Sequence, residues 1–175
     1  MMKAAACLAM IFIGACARPL PAPPPDILHT VAVLAPTNET GDPLLVAGTS
    51  FLEKYALATD RVTVPDVLAS EARLQLARRG FTVVSKEELG KGAGLSLQLD
   101  VRRWEPDAPT HPSFVLVGVA AKLVDPATGR VVWSAEHRTA PVATPGEVAL
   151  GPAYVTAARK VVEELLAPLG PERPS

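Results

Sequence analysis

Residues 95–102, LSLQLDVR, alternate apolar and polar side chains without a break. That pattern marks a β-strand with one dry face and one wet one. Four further stretches read as strands. TVAVLA at 30–35 is a short apolar, partly β-branched run that stops at Pro36, as a strand covered on both faces does. FTVV at 81–84 is a second, and FVLVGVAAKLV at 114–124 and RVVWSAEHR at 130–138 are longer. Between the last two lies DPATG, residues 125–129, whose Pro and Gly supply the fixed φ and the left-handed residue of a tight turn. The pair is therefore expected to be an antiparallel hairpin.

Two segments have helical signals. Residues 65–79 open on Pro65 and Asp66, close on Arg78 and Arg79, and are followed by Gly80, the arrangement that suits the dipole and termini of a helix. Near the C-terminus, Tyr154, Ala157, Ala158, Val161, Val162, Leu165, Leu166 and Leu169 fall on one side at 100° per residue. Thr156, Arg159, Lys160, Glu163 and Glu164 fall on the other, so this helix is expected to lay its apolar side on a sheet. Residues 44–64 fit neither pattern and are left open between a helix and a hairpin-like insertion. The element order implies an α/β fold, a mixed sheet with an antiparallel hairpin flanked by helices in a two- or three-layer sandwich.

The N-terminus carries a different message. After Lys3 an apolar run from Ala4 to Ala15 leads to Cys16. It is shorter than the roughly 20 residues that span a bilayer, and it has the form of a secretory signal peptide. Ile13-Gly14-Ala15-Cys16 resembles the lipobox of bacterial lipoproteins, which implies cleavage after Ala15 and lipid attachment at Cys16. Ala17, where such proteins are retained in the inner membrane by aspartate, favours the periplasmic leaflet of the outer membrane. Residues 17–26, ARPLPAPPPD, hold five prolines and are expected to form a stiff extended tether. The domain plan is thus a signal peptide at 1–15, the lipidated cysteine and tether at 16–29, one α/β domain at 30–169, and a frayed tail at 170–175.

Composition removes several function classes. With 17 basic and 18 acidic residues there is no electrostatic case for nucleic acid. Cys7 leaves with the signal, so no disulfide and no free thiol are expected. His29, His111 and His137 lack any metal-ligand spacing, so no metal and no cofactor are expected. Gly90-Lys91-Gly92-Ala93-Gly94 lacks the phosphate-loop spacing, Ser50 is not in a nucleophile elbow, and Glu87 and Glu88 read as solvated acids. Asn38-Glu39-Thr40 reads as a turn. Trp133 is expected in the core. Trp104, beside Arg102 and Arg103 and ahead of a proline loop, is the candidate partner contact, because large aromatics next to arginine recur at protein–protein hot spots.

The opening strand with PTNETGDP at 36–43, the helix ending in RGFTVV at 79–84 and the hairpin LVDPATGRVVW at 123–133 resemble the periplasmic lipoprotein domains grouped with CsgG, PelC, LpoB and the TolB N-terminal domain. That resemblance implies a non-enzymatic protein: a secretion pore subunit, a ring around an export channel, or an activator of a cell-wall synthase. No long alternating pair of segments is spare for a membrane barrel, and the short connection 86–94 leaves room for at most a turn of helix between the second and third strands. The expected function is a non-catalytic, lipid-anchored adaptor or assembly factor of an envelope complex, with an envelope protein partner or a homo-oligomer. A periplasmic enzyme assembled from His137, Glu136 and Asp100, and a lipid or small-ligand carrier, are the alternatives.

Overall fold

The computed structural model describes residues 19–40, 64–106, 114–139, 141–143 and 150–170. Cys16, Ser50, His111, nearly all of the undecided 44–64 stretch and the tail beyond Gly170 lie outside them. Among the described residues seven strands form one mixed sheet: β1 (Thr30–Val33), β2 (Thr37–Asn38), β3 (Thr82–Val84), β4 (Leu95–Pro106), β5 (Phe114–Val124), β6 (Val131–Arg138) and β7 (Val142–Ala143). The helices described with it are α1 (Val64–Arg78), the single turn α2 (Lys86–Leu89) and α3 (Leu150–Leu166), which runs into a 3-10 turn at Ala167–Leu169. The strand order is β3-β1-β4-β5-β6, with β2 on β4 beyond the end of β1 and β7 on β5 beyond the end of β6.

β1 pairs parallel with both β3 and β4, whereas β4, β5 and β6 are antiparallel to one another. The β5–β6 turn forms as its residues predict. Asp125 Oδ1 accepts from Ala127 N at 2.9 Å, Thr128 Oγ1 donates to Asp125 Oδ2 at 2.7 Å, and Gly129 takes φ 70°. The two short strands β2 and β7 have too little sequence to show a period of two.

Helices α1 and α3 pack side by side on one face of the sheet. Every residue of the predicted α3 stripe, from Tyr154 to Leu169, is buried. It meets Val115, Val117, Val119, Ala121 and Leu123 of β5, Leu95, Leu97, Leu99 and Val101 of β4, and Trp133 and Ala135 of β6 in one core. Burying a large aliphatic side chain is worth roughly 1.5–3 kcal/mol, so Val161, Val162, Leu165 and Leu166 of α3, with Leu169 just beyond it, account for a large share of the apolar stabilisation. The short α2 lies apart from this core: its buried Leu89 is not among the side chains that α1 and α3 cover.

The ends of the elements are specified locally. α1 closes in a Schellman motif: Phe81 N donates to Leu76 O and Gly80 N to Ala77 O, each at 3.0 Å, with Gly80 at φ 83° where a side chain is disfavoured. Phe81 and Leu76 are both buried, the apolar contact that accompanies the motif. α2 is capped by Ser85, whose hydroxyl accepts from Glu88 N while the Glu88 carboxylate accepts from Ser85 N. The expected turn between second and third strands is this one helical turn. Arg79, buried at the end of α1, donates to Gln75 O at 3.1 Å and reaches Glu163 O of α3 at 3.5 Å.

The proline-rich segment departs from expectation. Instead of standing clear as a tether, residues 19–28 lie against the domain. Trp133 Nε1 donates to Pro21 O at 2.9 Å, and Leu20 and Ile27 pack against the core. His29 O accepts from Thr82 N at 2.7 Å. Proline has no N–H to offer a ladder, so this strap lies beside the outer strand β6 without extending the sheet.

Gly94 joins α2 to β4 where the chain passes close to β1. A Cβ there would fall 2.9 Å from Thr30 O and 2.4 Å from Leu89 Cδ1. The side chain can move, but the backbone oxygen belongs to β1, which is held between β3 and β4. Gly94→Ala is expected to lower stability by about 1–3 kcal/mol, the usual cost of overpacking, or roughly 2–4 °C in Tm per kcal/mol at this size. Thermal denaturation followed by circular dichroism measures it.

Candidate functional site

The face of the sheet turned away from α1 and α3 is polar because the even positions of β4, β5 and β6 point there. Asp100 lies opposite Ala120, and Ala120 opposite Glu136, so one row crosses three strands. Asp100 is buried at this face. Its Oδ1 accepts from Thr37 Oγ1 at 2.5 Å and its Oδ2 from Lys122 Nζ at 2.8 Å. β2 exists to deliver Thr37: it pairs with β4 in the register Thr37↔Asp100. Arg102 Nη2 pairs with Glu39 Oε2 at 3.0 Å just beyond. Burial alone pushes the Asp100 carboxyl up, but hydrogen bonds from Lys122 and Thr37, with the charges of Lys122 and Arg102, hold it below its ordinary value. The same contact pushes Lys122 up. A groove of about 490 Å³ opens between this face and the strap, lined by Arg102, Lys122, Ser134 and Glu136 with Leu20 on its far wall.

The predicted contact trio is split by one residue. Between Val101↔Val119 and Arg103↔Gly118 the β4–β5 register shifts, leaving Arg102 as the extra residue of a bulge. The bulge inverts the alternation, so Trp104, opposite Val117, faces the helices although Leu97, Leu99 and Val101 already fill that side. Trp104 stacks on Tyr154 of α3, with ring centroids 5.0 Å apart and planes 10° from parallel. Arg102 and Arg103 go to the polar face, Arg103 in an ion pair with Glu105. Trp104 is thus half-buried packing, and the single patch expected from the sequence does not form.

Trp104 Nε1 and Tyr154 Oη are both buried without a hydrogen-bond partner among the described residues. Burial and the nearby Glu105 push the Tyr154 phenol up, so it stays neutral.

The enzyme alternative relied on three residues that the fold separates. His137 faces the helices and meets Glu164 of α3, while Glu136 and Asp100 sit on the polar face across Ala120. His29 tilts against Phe81, centroids 4.9 Å apart. Among the described residues there is no group of three or more His, Cys, Asp or Glu able to hold a metal ion, and no helix is long and apolar enough to cross a membrane. Asn38 Oδ1 accepts from Thr40 N at 3.0 Å, the local turn read from that triplet. Sequence reading missed the Thr37–Asp100–Lys122 cluster. Its only signal was a charged residue at an otherwise amphipathic strand position.

No family model and no curated protein matches the chain. Solved structures do. The PelC dodecamer from Paraburkholderia phytofirmans is 21% identical, over 87% of this chain and 96% of that one, with a TM-score of 0.53. Protein XCC0632 from Xanthomonas campestris, of the DUF330 family, is 19% identical over 83% and 87%, with a TM-score of 0.55. These likenesses concern the fold, and PelC is one of the group that the turns and strands of the sequence resemble.

Two outcomes follow from the geometry. Tyr154→Phe removes a buried hydroxyl that has no partner, whose desolvation costs about 1–3 kcal/mol, so urea denaturation should find the variant as stable as the parent or more so. Tyr154→Ala, which removes the ring, should lose about 3–5 kcal/mol. The depressed Asp100 pKa contributes stability that is complete above the ordinary carboxylate value of 3.8 and lost as pH falls through the lower folded value. Asp100→Asn should therefore be less stable than the parent near pH 7 and should lose less than the parent between pH 5 and pH 2.

Proposed function

We propose that this chain is a bacterial lipoprotein anchored through Cys16 to the periplasmic leaflet of the outer membrane, where it serves without catalysis as a self-assembling accessory factor of an envelope export or secretion machine. The observation that carries the reading is the likeness to PelC over 87% of this chain and 96% of that one. The PelC structure is a dodecamer, which supports a homo-oligomer of this chain. The lipobox-like Ile13-Gly14-Ala15-Cys16 supports the anchor.

The polar face suits this role better than turnover. Its buried carboxylate is committed to Thr37 and Lys122, so it serves as a structural clasp between β2 and β4. Nothing in that arrangement offers a base with an unshared proton acceptor.

Labelling cells with radioactive palmitate is expected to mark the protein and to leave Cys16→Ser unmarked and no longer in the membrane fraction. Light scattering of the detergent-extracted protein should give a mass several times that of one chain, and crosslinking in cells should capture an envelope protein with it. A monomer without a crosslinked partner would overturn the adaptor reading. A Cys16→Ser protein still bound to membrane would overturn the anchor.

A further inference from the structure

The strap is fixed to the domain over its whole described length. Near its start Leu20 packs on the core and Pro21 O accepts from Trp133 Nε1. In its middle Ile27 N donates to Pro24 O at 3.3 Å, turning the chain, and the Ile27 side chain packs on the core. His29 O then ties it to β3. Only Ala17 and Arg18 separate Pro19 from Cys16, three residue steps along the chain. A residue spans at most about 3.6 Å when extended, so Cys16 lies within roughly 11 Å of Pro19 whatever its conformation. A free polyproline leash over residues 16–29 would instead reach about 40 Å at 3.1 Å per residue.

Pro19 lines the same groove as Arg102, Lys122, Ser134 and Glu136. A cysteine carrying acyl chains sits at headgroup level, which brings that groove to the leaflet. Its side chains are of mixed sign: two cations and one carboxylate, with Ser134 between. The Arg102 and Lys122 side chains remain 41% and 36% exposed despite their ion pairs, leaving donors for phosphate oxygens, while Glu136 can accept from an amine. Such a face complements zwitterionic headgroups, and a chain with a formal net charge of -1 has no general attraction to anionic ones.

We infer that the strap docks the domain flush on its own leaflet, with the groove-side polar face of β4, β5 and β6 set against zwitterionic phospholipid headgroups and the α1–α3 layer turned away. This rests on acylation of Cys16.

The test uses the processed, lipidated protein in zwitterionic phosphatidylcholine–phosphatidylethanolamine vesicles containing a headgroup-nitroxide lipid. A thiol-reactive fluorophore is placed through Glu136→Cys on the groove, or through Leu74→Cys on the exposed side of α1. Quenching at position 136 is expected to exceed that at 74 several-fold, and in a Leu20→Ser background, which loosens the strap, to fall towards the value at 74 while the protein still floats with the vesicles. Equal quenching at both positions in protein that floats would overturn the docking and leave the anchor standing. Strong quenching at 136 that survives Leu20→Ser would overturn the role of the strap. Protein that fails to float would overturn the anchor and the docking together.

Discussion

The alternation of β4 is the constraint on which the molecule depends. This strand pairs with β1, β2 and β5, so a slip of one residue would carry Leu95, Leu97, Leu99 and Val101 from the helix layer to the polar face and bring Asp100 into the core. Neither exchange is affordable: four large aliphatics would lose their burial, and a carboxylate would lose its two donors. The single bulge at Arg102 works within that limit. It resets the alternation after Val101, so that Trp104 continues the apolar face while two adjacent arginines share the other side. The two faces therefore differ in chemistry along the strand, one closed by α1 and α3, the other polar and flanked by the strap.

Most of that sidedness is legible from residue types. The period of two in 95–102, the turn at 125–129 and the stripe of α3 each report a local preference that the tertiary structure reinforces, and all three hold. The Arg102 bulge is not legible, because a bulge is set by register against a partner strand and leaves no mark in one strand's own pattern. For that reason Trp104 and the two arginines, neighbours in the sequence, read as one contact, when the structure sends the indole and the guanidinium groups to opposite sides. β2 and the Thr37–Asp100 contact are hidden for a related cause: two residues carry no period, and their pairing spans 63 positions.

The strap illustrates the limits of composition. Five prolines in ten residues describe a stiff segment that makes no ladder, and both a free leash and a belt along a sheet edge meet that description. What separates them is the apolar residues among and just after the prolines. Leu20 and Ile27 have no reason to be apolar in a solvated spacer, and the indole N–H of Trp133, buried on an outer strand, requires an acceptor. Pro21 O supplies it. Edge strands must be shielded from pairing with other chains, and a segment in which half the residues are proline shields β6 while offering few N–H groups as a new edge of its own.

Anchor and fold then constrain each other. At about 20% identity a shared architecture says how the sheet and helices are arranged and leaves surfaces free to diverge. Function in this class must accordingly be argued from what each chain places on those surfaces. Here the proline strap, the Asp100 clasp and the mixed charges around the groove all adjoin one face. On the proposed docking, a lipid on Cys16 orients the whole molecule because the strap begins at that face, and the helix layer then points away from the membrane. An assembly partner arriving from the solvent side would, on that reading, meet α1 and α3 before it met the sheet.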